Sequence, residues 1–257
     1  MYDSTKLLPK IQFKKLYELL PTPYQERRGR KRLLKQSLLN GILQVLVNGC
    51  SWNNIAECGA SSTSCWRYFK EIQRRGKLKL IYEVLSQRMT NIEEGSIDTT
   101  TATSFKFKHM TGWDGKHKKI GTKISLLTDK SGLPADVVFA KGNTADITIL
   151  PTHLKQTARR RKKLLNLDKG YTSLEMRRKL RQSGTYVNME TRTGDYIHKR
   201  GPHFKLKREK YKTRFFIERT NGWLKSFRHI RIRRDYLPSM FKAFVYLALI
   251  IILIRQT

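Results

Sequence analysis

Near residue 95 the apolar pattern of this chain changes period, and that change rules out most architectures. Before it, apolar residues recur three or four apart, as in FKKLYELL (13–20) and LLKQSLLNGILQVLVNG (33–49), which is helical spacing. After it come β-branched runs broken by turn residues: SIDTTTATSF (96–105) behind Gly95, KIGTKISLLTD (119–129), the turn SGLP and ADVVFA (135–140). GNTADITILPTHLKQT (142–157) opens with a Gly-Asn turn and continues as a helix, with Thr144 as N-cap and Pro151 in its first turn or at a kink. A fourth strand KKLLNLD (162–168), an amphipathic helix TSLEMRRKLRQSG (172–184), a fifth strand TYVNME (185–190) and a basic loop over 191–210 follow. YKTRFFIERTNGWLK (211–225) then reads as one long helix.

The resulting order, β-β-β-α-β-α-β-α, is that of the ribonuclease H-like fold, an inference by fold analogy that leaves function open. Residues 1–90 form an all-α N-terminal domain in this reading, and 91–257 the α/β catalytic core with a C-terminal packing helix. In the helical part ERRGRKR (26–32) is a basic linker and Asn48-Gly49 a C-cap. A short helix from Ser51, a turn at Gly59 and a helix over Ser62–Arg75 resemble a helix-turn-helix. The second of these helices carries Ser64, Arg67, Lys70 and Arg74 outward, toward phosphates or base edges. An ordinary bundle with a solvated basic face has the same pattern.

Charge narrows the partners. With 53 Lys+Arg against 20 Asp+Glu the formal net charge is +33. Such an excess attracts polyanions, nucleic acid first and an anionic membrane surface second. A basic structural RNA-binding protein would have the same balance. The N-terminal MYDSTKLLPK lacks the apolar run of a signal peptide, and AFVYLALIIILI (243–254) is too short to span a bilayer, so no membrane role and a cytoplasmic location are expected. Cys50, Cys58 and Cys65 cannot all pair and fit a reducing compartment. With no histidine nearby to complete four ligands they do not read as a zinc site.

The acids point to chemistry. On a helix at about 100° per residue, Tyr211, Arg214, Glu218 and Lys225 fall within roughly 60° of arc, while Phe215, Phe216 and Trp223 face elsewhere, toward a core. An Arg214–Glu218 pair at i, i+4 is by itself a helical ion pair worth a few tenths of a kcal/mol. Asp168, however, ends the apolar run LLNL, where sites at the carboxyl edge of a sheet lie. Asp98 sits inside the first strand, where a carboxylate needs a partner or a metal. Two strand acids and one helix acid can converge on two divalent cations, and Mg²⁺ suits carboxylate oxygens. Arg214 and Lys225 are then placed to bind phosphates. Asp129, Asp136 and Asp146 each have a local explanation, in a turn, at a strand start and in a first helical turn.

These residues resemble the motifs of DDE insertion-sequence transposases of the insertion-sequence-five group, related to the insertion-sequence-four group. YKTRFFIERTNGWLK fits their Y-x2-R-x3-E-x6-K signature at four positions, LDKGYTS resembles the second-acid motif and SIDTTT the first. GTKISLLTDKSGLP, FAKGNTAD and the N-terminal ELLP, RGRKR, NGCSWNNI and YFKEIQRRG are similar to further family segments, so the resemblance covers nearly the whole chain. It implies Asp98, Asp168 and Glu218 as catalytic metal ligands for two Mg²⁺, with Mn²⁺ as substitute. It implies Tyr211, Arg214 and Lys225 as groups that position DNA. It also implies a homodimer or higher oligomer that pairs two double-stranded transposon ends before joining them to target DNA. Two departures stand out: Ser125 replaces a histidine that many relatives carry in the second strand, and the interval from Asp168 to Glu218 leaves no room for a large inserted domain. A silent transposase-derived DNA-binding protein, or a nuclease that cuts without joining, shares most of these features.

Overall fold

The computed structural model describes residues 8–23, 33–171, 173–190 and 206–256. The contacts divide the chain into two compact units. One comprises Met1–Leu85, Ala102–His109 and Trp223–Thr257, the other Ser86–Thr101 and Met110–Gly222. The division differs from a boundary near residue 90, because the C-terminal segment expected to finish the α/β part packs with the N-terminal helices.

The helical unit is built from α1 (Lys10–Leu19), α2 (Lys35–Asn48), a single 3₁₀ turn (Trp52–Asn54), α3 (Ser62–Arg74) and the first turns of α4 (Lys77–Met89). Gly49 ends α2 in the left-handed region (φ 67°), as expected of a glycine C-cap. The helix expected from Ser51 is only that 3₁₀ turn, so the short first helix of the supposed helix-turn-helix is absent. Gln44 explains this: its amide holds the Ala56 backbone on both sides, N–H to Oε1 at 2.8 Å and Nε2 to O at 3.3 Å, which keeps the connector extended. Ser61 caps α3 by accepting from the Ser64 N–H, and its hydroxyl also donates to Ser64 Oγ, so Ser64 is taken up in the cap. Phe69 stacks on Phe244 at 4.2 Å between ring centres, with Trp52 against both. Cys58 and Cys65 are buried free thiols, and burial together with Cys58 pushes Cys65 up to about 12.

The α/β unit follows the expected order with one added edge strand: β1 (Glu94–Ser104), β2 (Gly112–Asp114), β3 (Lys119–Asp129), β4 (Pro134–Lys141), α5 (Asp146–Gln156), β5 (Leu164–Leu167), α6 (Leu174–Gln182) and β6 (Tyr186–Asn188). The strand order is β2-β3-β1-β5-β6, with β4 antiparallel to β3 and with β1, β5 and β6 parallel. β5 is buried on both faces, as its unbroken LLNL run requires. Ile97, Leu127, Leu150, Leu165, Leu167, Tyr171 and Val187 form the core beside it. Each such side chain contributes on the order of 2 kcal/mol by leaving water. Ala145, not Thr144, is the N-cap of α5, without a side-chain bond; Asp146 instead pairs with Lys123 at 2.7 Å. Asp129 caps its own turn through Ser131 and Leu133, as expected. Asp136 is more than a strand-start residue. It meets His153 Nδ1 at 2.7 Å, and His153 Nε2 meets Ser125 Oγ at 2.9 Å. Ser125 and His153 are fully buried, so this Ser-His-Asp chain is out of reach of any substrate and acts as a tie between β3, β4 and α5.

The long helix expected over 211–225 is interrupted. α7 (Arg208–Tyr211) ends, Lys212 and Thr213 intervene, and α8 (Arg214–Ser226) begins anew. Two buried asparagines on the sheet impose the break. Asn166 donates to Lys210 O and Thr213 Oγ1, both at 3.0 Å, and Asn188 clamps the backbone of Lys207. Residues 191–205 of the expected basic loop, and the whole of the linker at 26–32, lie outside the described residues. In the helical unit α9 (Arg228–Arg231), β7 (Ile232–Arg233), paired with the end of β1, and α10 (Pro238–Ile254) complete the chain. α10 is buried along nearly all its length, and Pro238 starts it with a pre-set φ. No described helix is long and apolar enough to cross a membrane.

Candidate active site

Parallel register brings the two strand acids together. Ile97 on β1 pairs with Leu167 on β5, so the next residue of each strand is a carboxylate, Asp98 and Asp168. β5 ends there, which opens the carboxyl edge of the sheet as a site. The helix acid arrives because α8 is pinned to the β3–β4 turn. Thr220 Oγ1 donates to Gly132 O at 2.6 Å, and Arg219 donates to Ser131 O at 3.0 Å. Ile217, Thr220 and Leu224 are its buried face. Phe215, expected to face a core, is 63% exposed because it lies opposite that face.

Arg214 is the hub. Its guanidinium lies 3.4 Å from Asp168 Oδ1, 3.6 Å from Glu218 Oε1 and 3.9 Å from Asp98 Oδ1. It also donates to the Tyr211 hydroxyl at 3.2 Å, so Tyr211 reaches the site from α7 although it is not on the helix of Arg214. Burial pushes the Asp98 carboxyl above its ordinary value, with Arg214 opposing and Asp168 adding to the rise. Asp168 is pushed up by burial too, but the Lys169 backbone N–H and the charges of Arg214 and Lys116 outweigh this and hold it low. Two residues absent from the sequence reading complete the site. Asn221 donates to Asp98 Oδ2 at 2.8 Å, and Lys116, on the β2–β3 turn, lies 3.7 Å from Asp168. Helical geometry points Asn221 within about 20° of Arg214 and could have identified it. Nothing local in the sequence marks Lys116.

Asp98, Asp168, Glu218, Arg214 and Tyr211 are thus brought together. Lys225 is exposed in the last turn of α8 and belongs to the helical unit. Arg67, Lys70 and Arg74 lie along α3, Arg67 and Arg74 exposed, and line one cleft with Trp66; the Lys70 ammonium sits 4.5 Å from the Trp66 ring centre. The three carboxylates form an oxygen-only donor set of the kind hard divalent cations take. The set fits a hard divalent cation in chemistry. Among the described residues no three His, Cys, Asp or Glu side chains stand close enough to share an ion as they are placed. Arg214 is their common charge partner.

Comparison with known proteins gives the same direction. The family described as transposase DDE domain matches residues 91–253, and one described as transposase of the IS4/5 family matches residues 8–82. A Burkholderia cepacia protein named as a transposase for insertion sequence element IS402 is 29% identical over 136 residues, covering 49% of this chain. The chain spans 60% of the length of that curated relative in the match. The fold is similar to that of piggyBac transposase, solved as a synaptic complex with hairpin DNA, with a TM-score of 0.56 at 10% identity over 100% of this chain and 73% of that one.

Proposed function

The chain belongs to the DDE transposase family, of the IS4/IS5 type, and on that footing we propose that it is a DNA transposase that cuts at the ends of its own insertion sequence and joins them to target DNA. The observation that carries this reading is Arg214, which contacts carboxylates from β1, from the end of β5 and from α8 at one point. Asp98, Asp168 and Glu218 are the residues that would hold two Mg²⁺, with Mn²⁺ as substitute; such ions, when bound, favour an attacking hydroxide and stabilise a leaving oxygen.

The chain's own side chains do the rest. Arg214 and Lys116 offer charge-assisted bonds to phosphate oxygens at the acids, and Tyr211 keeps the guanidinium aligned. Asn221 fixes the rotamer of Asp98. Water attacks phosphorus at the element end, the P–O3′ bond breaks, and the 3′ oxygen leaves as a hydroxyl. That hydroxyl then attacks a target phosphodiester and expels a 3′ oxygen there, so each step exchanges one P–O bond for another. Arg67, Lys70 and Arg74 on α3, with Lys225, bind the terminal repeats of double-stranded DNA. A homodimer or larger assembly holds two ends at once.

End-labelled DNA flanking the reading frame, incubated with the protein in Mg²⁺ or Mn²⁺, tests this. Cleavage at the element ends and joining to a second DNA are expected, both abolished in Asp168→Asn, with end binding retained. Specific binding without cutting would overturn the reading in favour of a silent DNA-binding protein.

A further inference from the structure

The β1–β5 ladder stops one residue short of the acids. Its last pair is Ile97 and Leu167, so no strand pairing fixes Asp98 against Asp168. Two carboxylates side by side repel each other, and a set spacing between them needs a brace. A buried side-chain bond supplies one. Thr99, the residue after Asp98, meets the Tyr171 hydroxyl at 2.8 Å through Oγ1. Tyr171 closes the 3₁₀ turn Lys169–Tyr171 that follows Asp168, and its backbone N–H donates to Asp168 O at 3.0 Å. Its ring is buried in the core with Ile97 and Leu167.

Counting protons gives the bond its direction. Thr99 Oγ1 donates its one proton to Ser125 Oγ at 3.3 Å, so Tyr171 is the donor to Thr99. Burial pushes the Tyr171 hydroxyl above its ordinary value, which keeps it a donor. Ser125 Oγ meets His153 Nε2 at 2.9 Å, and His153 Nδ1 meets the Asp136 carboxylate at 2.7 Å. A carboxylate only accepts, so Nδ1 of the neutral ring carries the proton toward Asp136, and Nε2 accepts from Ser125. The donors therefore run one way, from Tyr171 through Thr99, Ser125 and His153 to Asp136. Each link orients the hydroxyl before it, and removing one leaves a buried hydroxyl without its acceptor.

We infer that Tyr171, Thr99, Ser125 and His153 are positioning residues that set the spacing of Asp98 and Asp168 for a divalent cation. They act through the two acids and touch neither the cation nor DNA. The inference rests on the proposed function, because it takes Asp98 and Asp168 as the cation's ligands.

Mn²⁺ titration of the full chain, followed by electron paramagnetic resonance, reads this spacing without DNA or turnover. Asp168→Asn should abolish the site that is read. Tyr171→Phe and Thr99→Val each delete one hydroxyl and keep the shape of the side chain. Each should weaken Mn²⁺ binding roughly 10- to 100-fold, the range for partners that orient metal ligands. The double variant should lose little more than either single one, because both remove the same bond. In end cleavage, kcat should fall with KM for DNA unchanged, and excess Mn²⁺ should restore part of it. A contact that only stabilises the fold would lower the melting temperature and leave the Mn²⁺ affinity of the folded protein unchanged. That result in both single variants would overturn the inference and leave the transposase reading standing. Weakened Mn²⁺ binding in the variants, with a wild type that neither cuts nor joins DNA, would uphold the positioning and overturn the transposase reading. A wild type that binds no Mn²⁺ would overturn both.

Discussion

Asp114 shows how far a single carboxylate can be shifted by its neighbours. It is buried; burial alone would raise it, yet hydrogen bonds from Thr101 and His117 outweigh burial and hold it at about 2. A folded value below the unfolded one, ordinarily about 3.9, stabilises the fold above the unfolded value and loses that effect as pH falls through the folded value. Asp114→Asn should therefore cost roughly 1–2 kcal/mol near pH 6 and progressively less as pH falls from 4 to 2. Urea unfolding of both proteins across that range measures it, and a gap independent of pH would refute the assignment. Arg214 makes the complementary prediction. Removing a guanidinium shared by three carboxylates leaves them facing one another. Arg214→Ala should lower stability in metal-free buffer by roughly 2 kcal/mol, and Mg²⁺ should raise its melting temperature more than that of the wild type. Equal Mg²⁺ shifts would mean that the carboxylates and Arg214 do not compete with a cation.

Among the elements, α8 matters most, because it carries Arg214, Glu218 and Asn221 on one face. Its seat is the β3–β4 turn at Gly132, where φ is +91° and an added Cβ would lie 2.8 Å from Phe216 O. Gly132→Ala should therefore destabilise the fold by roughly 1–3 kcal/mol from backbone strain, with the clash adding to it. If α8 is seated as described, cleavage should fall further than the unfolded fraction alone accounts for. Denaturation and single-turnover cleavage of the same preparation separate the two effects. Apart from the short edge strand β2 and the N-cap of α5, the strands and helices from 94 to 188 are legible in the sequence because period and turn residues are local properties. α7 is not, because its end is set by Asn166 and Asn188, far away in sequence. The lost helix after Ser51 has the same cause in Gln44.

For the chain taken together, the +33 charge predicts binding that weakens steeply with salt. Arg67→Ala, Lys70→Ala and Arg74→Ala combined should flatten the salt dependence of duplex binding by about 2–3 in log–log slope, and Lys225→Ala by about 1. An unchanged slope would remove α3 or Lys225 from the DNA contacts. Arg67 and Arg74 are open to solvent and, with half-buried Lys70, line a cleft beside Trp66, a placement that an amphipathic helix predicts from spacing alone.

The sequence by itself determined the order of the elements apart from β2 and the break between α7 and α8, the apolar C-terminal helix, and, through motifs that resemble a family's, three acids and an arginine as candidate site residues. All of these follow from the preferences of neighbouring residues or from pattern. Tertiary structure alone decided which residues meet. The β1–β5 register aligns Asp98 with Asp168, the Gly132 contact brings Glu218 and Asn221 over them, and the β2–β3 turn delivers Lys116 from more than forty residues before Asp168. Such meetings depend on long-range pairing and packing, which no local pattern encodes, and they turn scattered charges into one site.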